Sequence, residues 1–348
     1  MYIMAKFDIF NPTVSKVVKG IEGKVITLMG NNSTGKTLQA TRFPKPFYLG
    51  FEQGLNAISG VPYATIENWS DFMQVNRQLT AKRNRDKIKE TYQTIIFDEV
   101  YTASLYCQQH VCDANGVNTI SEGNGGFGLW KEYETAFWKE IDKLLKIGMT
   151  IVFIIHTEQN KDGQYVPKGD KRSVDPVIDN SDVVAFLKPN GVDDKGRPVK
   201  SSAIFVETPA AFARTRFEHM TPYIQEFTAD NLTKAIEDAI AKEEEISGIA
   251  GQTLEEKHEE EKNKKSALSY DEVLEQIKAT GIALGKAGFG QQANDIVREN
   301  LGVKKDADGK PTNEAVKHSE VHKEDVDKLY ILLLDMQEYA EEKEVQLA

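Results

Sequence analysis

Two cysteines in 348 residues leave nothing from which to build a disulfide framework. Cys107 and Cys112 also lack the C-x2-C spacing of zinc and redox sites, so they read as ordinary buried thiols. No apolar run approaches the roughly 18 to 20 residues that span a bilayer, so a membrane partner is not expected. At the N-terminus, M-Y-I-M-A-K-F-D, Lys6 and Asp8 interrupt any signal-peptide core, and the chain reads as cytoplasmic. No internal repeat or low-complexity tract is found.

What is present fits a soluble globular protein with one large and one smaller domain, at 40% hydrophobic and 28% charged residues. The net charge of -11 is unevenly placed. Residues 1–230 carry equal numbers of basic and acidic side chains, so the whole excess lies in residues 231–348. An acidic total therefore does not exclude nucleic-acid binding by the first part, which depends on local positive patches.

The stretch K-V-I-T-L-M-G-N-N-S-T-G-K-T organises the rest. Residues 25–29 read as a buried strand, and Gly30, Asn31, Asn32, Ser33, Thr34, Gly35, Lys36 and Thr37 as a phosphate-cradling loop that opens a helix at Gly35. Backbone N–H groups in such a loop point at the β- and γ-phosphates, and the helix N-terminus adds partial positive charge. Lys36 would neutralise phosphate oxygens and the Thr37 hydroxyl would ligate Mg²⁺. A chance match to this pattern is expected in roughly one chain of this length in a hundred.

Downstream, Pro44-Lys45-Pro46 stops the short helix, and residues 47–51 read as the next strand, ending in Glu52-Gln53-Gly54. After an apolar segment at 63–66, a helix is expected from about Asn68 to Ile88, its far end carrying Lys82, Arg83, Arg85, Lys87 and Lys89. Those cations read as a solvated helix end favoured by the macrodipole. Residues 94–99, T-I-I-F-D-E, form an apolar strand ending in two carboxylates. A helix over 101–112 leads into a polar glycine-rich loop, 113–128. A helix over 129–145 follows, with Trp130, Tyr133, Phe137, Ile141 and Leu144 on a core-facing stripe.

Residues 150–155 are another buried strand, ending at His156, and 158–172 a second polar loop. Strand-like segments recur at 183–187, 203–207 and 223–227, with a turn at Asp194-Lys195-Gly196. A helix over about 230–242 closes an ATPase domain of residues 1–242. Residues 243–266 read as a charged linker. Residues 267–348 read as an acidic module of three helices, the first opened by the capping box Ser269-Tyr270-Asp271-Glu272. Alternating strands and helices, then strands in succession, predict an α/β fold, a mostly parallel sheet with an antiparallel extension.

Hydrolysing a nucleoside triphosphate needs a phosphate clamp, a metal, a carboxylate to orient water, and a cation for developing charge. Asp98, at a strand end, is placed to hold Mg²⁺ with Thr37. Glu52 and Glu99 compete for the water. His156 is a candidate γ-phosphate sensor. Arg214 and Arg216 in A-F-A-R-T-R-F alternate with apolar residues, so they share a strand face and could reach phosphates in the same chain or across a subunit boundary.

Taken in order, G-N-N-S-T-G-K-T, P-F-Y-L-G-F-E-Q-G, T-I-I-F-D-E, G-F-G-L-W-K-E-Y with T-I-V-F-I-I-H, and A-R-T-R-F resemble the phage RecA-like P-loop ATPases. These compact single-strand annealing or recombination proteins are known chiefly as AAA-family or nucleotide-binding proteins. The resemblance covers about residues 20–240. It implies that Lys36 and Thr37 bind phosphate and Mg²⁺, that Asp98 holds the metal, and that Glu52 is the favoured water activator. His156 matches the sensor and Arg214 and Arg216 the trans-acting cations. The glycine-rich loop and the basic loop with Lys161, Lys168, Lys171 and Arg172 match two DNA-facing loops. Ser33 departs from the pattern, standing where glycine is common, as does Gly50-Phe51-Glu52, which replaces a more acidic strand end.

The reading this supports is a Mg-ATP-dependent phage protein that self-assembles on single-stranded DNA in recombination or replication, acting in the host cytoplasm. The acidic C-terminal module would recruit a single-strand-binding or replication partner, or mimic DNA. A ring-forming helicase or replication accessory motor, a small-molecule kinase and an ATP-gated scaffold without catalysis are the alternatives. The kinase would need an Arg-rich lid, and none is evident.

Overall fold

The computed structural model describes residues 12, 14–266, 269–306 and 310–347. Lys6 and Asp8, on which the reading of the N-terminus rests, lie outside the described residues, as do positions 267 and 268 at the start of the C-terminal module. Residues 16–254 form one compact unit, and residues from 255 onward belong to a second.

In the first unit the strand β1 (Val25–Gly30) leads into the short helix α1 (Lys36–Ala40), then β2 (Pro46–Gly50) and β3 (Tyr63–Thr65). Two helices, α2 (Trp69–Thr80) and α3 (Arg85–Thr91), precede β4 (Thr94–Asp98). Then come α4 (Val100–Asn115), α5 (Trp130–Leu145), the long strand β5 (Thr150–Gln159) and β6 (Tyr165–Pro167). The unit closes with α6 (Lys171–Asn180), β7 (Val183–Lys188), β8 (Ser202–Ile204), β9 (Arg214–Thr215), β10 (Tyr223–Ile224) and α7 (Ala229–Ser247).

These strands form one sheet in the order β10-β8-β7-β1-β5-β4-β2-β3, with β6 on β5 and β9 on β7. The strands from β7 to β3 are parallel, whereas β8, β9, β10 and β6 pair antiparallel. The fold is thus the α/β class read from the sequence. Parallel pairing gathers the carboxyl ends of the strands on one edge. Gly30 is level with His156, and Asp98 with Gly50. Crevices at that edge are where open α/β sheets bind ligands.

The apolar runs follow from burial on both faces. Ile95 and Phe97 point into a layer closed by α2, α4, α5 and α6, whereas Ile96 points into one closed by α1 and α7. Phe97 is fully buried, with ring centroids 4.5 Å from Phe51, 5.4 Å from Phe72 and 5.4 Å from Phe153. Phe97→Ala is therefore expected to cost about 3–5 kcal/mol of unfolding free energy, measurable by urea titration. A cost under about 1 kcal/mol would contradict the packing.

Several boundaries differ from the expectations. The helix expected over 68–88 is two helices separated by a 3₁₀ turn at Lys82–Asn84, because Ala81 takes an extended backbone. The glycine-rich loop is shorter than read, since α4 continues to Asn115 and two 3₁₀ turns occupy Ile120–Glu122 and Asn124–Gly126. The basic loop 158–172 is a β5–β6 hairpin followed by the first turn of α6, an element whose Pro176 masked it in the sequence. In the stretch read as a linker, α7 runs on to Ser247 and α8 spans Leu254–Ser266.

The second unit contains α9 (Tyr270–Lys286), α10 (Gly290–Leu301), a hairpin of β11 (Val303–Lys305) and β12 (Pro311–Ala315), and α11 (Val326–Glu342). Ser269 caps α9 by accepting from the Glu272 amide, and Val273, Ile277, Leu284, Leu329, Leu333 and Met336 form its core. The hairpin was not anticipated. Among the described residues, no helix is long and apolar enough to cross a membrane.

Candidate active site

β1 ends in a backbone that only glycine suits. Gly30 has φ +157, and a Cβ there would come 2.7 Å from the Leu187 carbonyl oxygen. Ser33 takes φ +63 and Gly35 φ +82, so the serine that departs from the family pattern adopts the left-handed conformation a glycine would supply. The Lys36 ammonium folds back to donate to the carbonyls of Gly30 and Asn31, each at 2.8 Å. Burial lowers its pKa to about 8, against the opposing pull of Asp98, Glu99 and Glu52.

The expected Mg²⁺ pair meets. Thr37 Oγ1 donates to Asp98 Oδ2 at 2.7 Å, and Tyr48 Oη donates to the same oxygen at 2.9 Å. Burial pushes the Asp98 carboxyl upward, partly offset by those two hydrogen bonds. Burial beside Asp98 also raises the Tyr48 phenol, keeping it a donor. Gly54 lines this corner closely: a Cβ would sit 2.5 Å from Tyr48 Oη and 3.0 Å from Asp98 Oδ2. Tyr48 and Gly54 were not singled out from sequence. The pairing of β2 with β4 is what delivers Tyr48, and pairing is not legible in either strand alone.

Beside the metal corner lies a cluster of Glu52, Glu99 and His156, with one ligand atom from each within 4.8 Å of the others. Glu99 caps α4, its Oε1 accepting from the Thr102 amide at 3.0 Å and the Thr102 hydroxyl at 2.9 Å. Its Oε2 is buried with no partner among the described residues. Burial raises the Glu99 pKa. Glu52 accepts from Thr102 Oγ1 at 3.3 Å and faces His156 Nε2 at 3.5 Å. Thr102 thus bridges the two candidate water activators. Its position three residues after an acidic N-cap is the signal that would have found it.

A phosphate chain and its Mg²⁺ fit this donor set. Lys36 is a cation held by backbone carbonyls that phosphate oxygens could replace, and Thr37 with Asp98 supplies hard oxygen ligands. When bound, the ion would neutralise phosphate charge.

Arg214 and Arg216 are not brought to this edge. Val184 is level with Thr27 and pairs with Arg214, so Arg214 lies about 10 Å of strand back from Gly30, and Arg216 lies farther still toward the opposite end of the sheet. Arg214 pairs with Asp179 at 3.9 Å, and Arg216 pairs with Asp182 at 3.5 Å and donates to the Asp179 carbonyl. Alternation did place them together, but on the turn between α6 and β7.

Three of the four basic loop residues flank the site. The Lys168 amide donates to the His156 carbonyl at 2.8 Å and its ammonium lies 4.7 Å from the Tyr101 ring centroid. Arg172 stands 4.7 Å over Trp130, which is half-buried and packs on the edge of the core, and pairs with Asp170 at 3.4 Å. Lys171 is exposed at the start of α6, and Lys161 is exposed in the β5–β6 turn. Phe127, three residues before Trp130, is 86% exposed.

Residues 22–217 match the family described as AAA domain. The chain belongs to that family. It is also 50% identical over 295 residues to the SPbeta prophage-derived uncharacterized protein YorG of Bacillus subtilis (strain 168), covering 85% of this chain and 90% of the relative. The AAA-domain match takes in the P-loop, Asp98, Glu99 and His156, and stops short of α7 and the C-terminal unit.

Proposed function

We propose that this AAA-domain protein is a phage Mg-ATP-dependent ATPase that binds single-stranded DNA in recombination or replication, with nucleotide state setting DNA affinity. The prophage origin of the relative supports the phage assignment. The observation that carries the DNA assignment is the cation-on-aromatic surface beside the P-loop edge: Lys168 on Tyr101, Arg172 on Trp130, and an exposed Phe127 in a glycine-rich turn. Sequence-tolerant single-strand sites combine these two ingredients, positive charge along the backbone and aromatic faces for bases. The link to nucleotide runs through His156, whose ring faces Glu52 and whose carbonyl holds Lys168. On its charge, the C-terminal unit is assigned the recruitment of a single-strand-binding or replication partner.

Anisotropy of a labelled oligothymidylate, with and without Mg-ATP, tests this. Phe127→Ala is expected to lower affinity by about 1–3 kcal/mol, with ATP binding unchanged. Neutralising Lys168, Lys171 and Arg172 together should flatten the salt dependence of binding. No binding by the wild type at low salt would sink the DNA assignment, and ATP turnover indifferent to DNA would favour a motor.

A further inference from the structure

The basic run at 82–89 is not absorbed by the site above. It borders a cavity of about 410 Å³ at the opposite end of the sheet from the P-loop, next to the starts of β4 and β5. Leu79, Ile88, Ile147 and Met149 give the cavity apolar walls, and Lys82, Arg85, Lys89, Lys143 and Lys146 surround it with positive charge. Lys143 and Lys146 pair with Glu140 and Asp142 on their own helix, whereas no ion pair holds Lys82, Arg85 or Lys89 among the described residues. Five cations around an apolar hollow ask for an occupant with both acidic and apolar groups.

The end of α7 has that chemistry. It reads E-E-E-I-S-G-I, with Ile246 59% and Ile249 39% exposed and flanked by Glu243, Glu244 and Glu245. Glu244 is occupied by Lys19 and the Gly251 amide, which leaves Glu243 and Glu245 as the outward acids, held only by His219 and Lys242. The two features lie on opposite layers of the sheet. Leu232, Ile236 and Ile240 of α7 pack on the Ile96 face, whereas the cavity belongs to α2, α3 and α5 on the Ile95 face. Within one protomer the sheet lies between the two surfaces. Among the described residues no aromatic side chain lines the cavity, which disfavours stacked bases as the occupant.

We infer that this cavity seats the α7 end, residues 243–249, of a second copy of the chain. The apolar pair enters the hollow and the acids meet its rim. Such a contact is heterologous, so it propagates into a ring or filament rather than closing as a dimer. It deepens the self-assembly expected from the sequence and does not depend on DNA being the ligand.

Sedimentation velocity on the full chain tests it. The wild type is expected to associate with increasing concentration and to dissociate with salt. The triple reversal Lys82→Glu, Arg85→Glu, Lys89→Glu and the double reversal Glu243→Lys, Glu245→Lys should each weaken association by about tenfold or more, because like charges then oppose. Mixing the two variants should restore assembly, since every cavity again meets an opposite charge, and this recovery separates docking from misfolding. A wild type that stays monomeric, reversals that assemble like the wild type, or a mixture that does not recover overturns the inference. So does cavity reversal that weakens oligothymidylate binding while assembly persists, which marks a nucleic-acid surface instead. The DNA assignment fails separately, by absent oligothymidylate binding in the wild type.

Discussion

Lys36→Ala is expected to weaken Mg-ATP binding by roughly 10²- to 10⁴-fold. The Lys36 ammonium is buried and already makes two 2.8 Å hydrogen bonds to loop carbonyls, so it is held where phosphate oxygens would arrive. Two charge-assisted hydrogen bonds of about 1.5–3 kcal/mol each give that range. The pH dependence has a definite sign. The free site titrates Lys36 near 8, and phosphate charge would raise that value, so binding takes up a proton above pH 8. Affinity should be flat below pH 8 and fall by up to about tenfold per unit above it. Lys36→Arg should remove the break, since guanidinium stays charged. The folded-state lowering has the matching effect on stability: without nucleotide, stability rises as pH climbs from about 8 toward the unfolded value of 10.5. Titration with a fluorescent ATP analogue across pH 6.5 to about 9.5 measures the binding limb. Wild-type affinity in Lys36→Ala would remove the phosphate clamp from the loop.

Side chains fixed by local sequence were legible, and those fixed by pairing between distant strands were not. The P-loop strand, the T-I-I-F-D strand and the T-I-V-F-I-I strand are buried on both faces, so each reads as an uninterrupted apolar run. Their shared direction then puts Gly30, Asp98 and His156 on one edge without further information. Arg214 and Arg216 show the limit. Alternation predicts a shared face, and the structure agrees, but which end of the sheet they reach depends on β9 pairing with the start of β7. Tyr48 depends likewise on which element lies beside which. The α6 helix was missed because Pro176, tolerated in the middle of the helix, reads in sequence as a breaker. Phe127 drew no notice because a single aromatic in a glycine-rich stretch acquires meaning only when its neighbours Trp130 and Arg172 are seen stacked.

The second large effect separates the two glutamates. Glu52→Gln is expected to lower ATP turnover by about 10²- to 10⁴-fold while leaving nucleotide affinity nearly intact, the loss typical of a positioned proton acceptor. Glu99→Gln should act differently. Glu99 spends Oε1 on the α4 cap and buries Oε2, whereas the Glu52 side chain is 42% exposed and faces His156. The amide variant stays equally buried but carries no charge to desolvate, the cost that raises the Glu99 pKa. Its signature should be a change in thermal stability of about 1 kcal/mol in either direction from the altered cap, with a turnover loss well below that of Glu52→Gln. Thr102→Val tests the bridge: it deletes the hydroxyl that touches both carboxylates, at 3.3 Å and 2.9 Å, and should reduce turnover by freeing Glu52 to move. Steady-state turnover, read with nucleotide affinity and melting temperature for the three variants, decides the assignment. Equal turnover losses in Glu52→Gln and Glu99→Gln would mean that the carboxylates act as one unit through Thr102. A larger loss in Glu99→Gln would transfer the water to the capping glutamate.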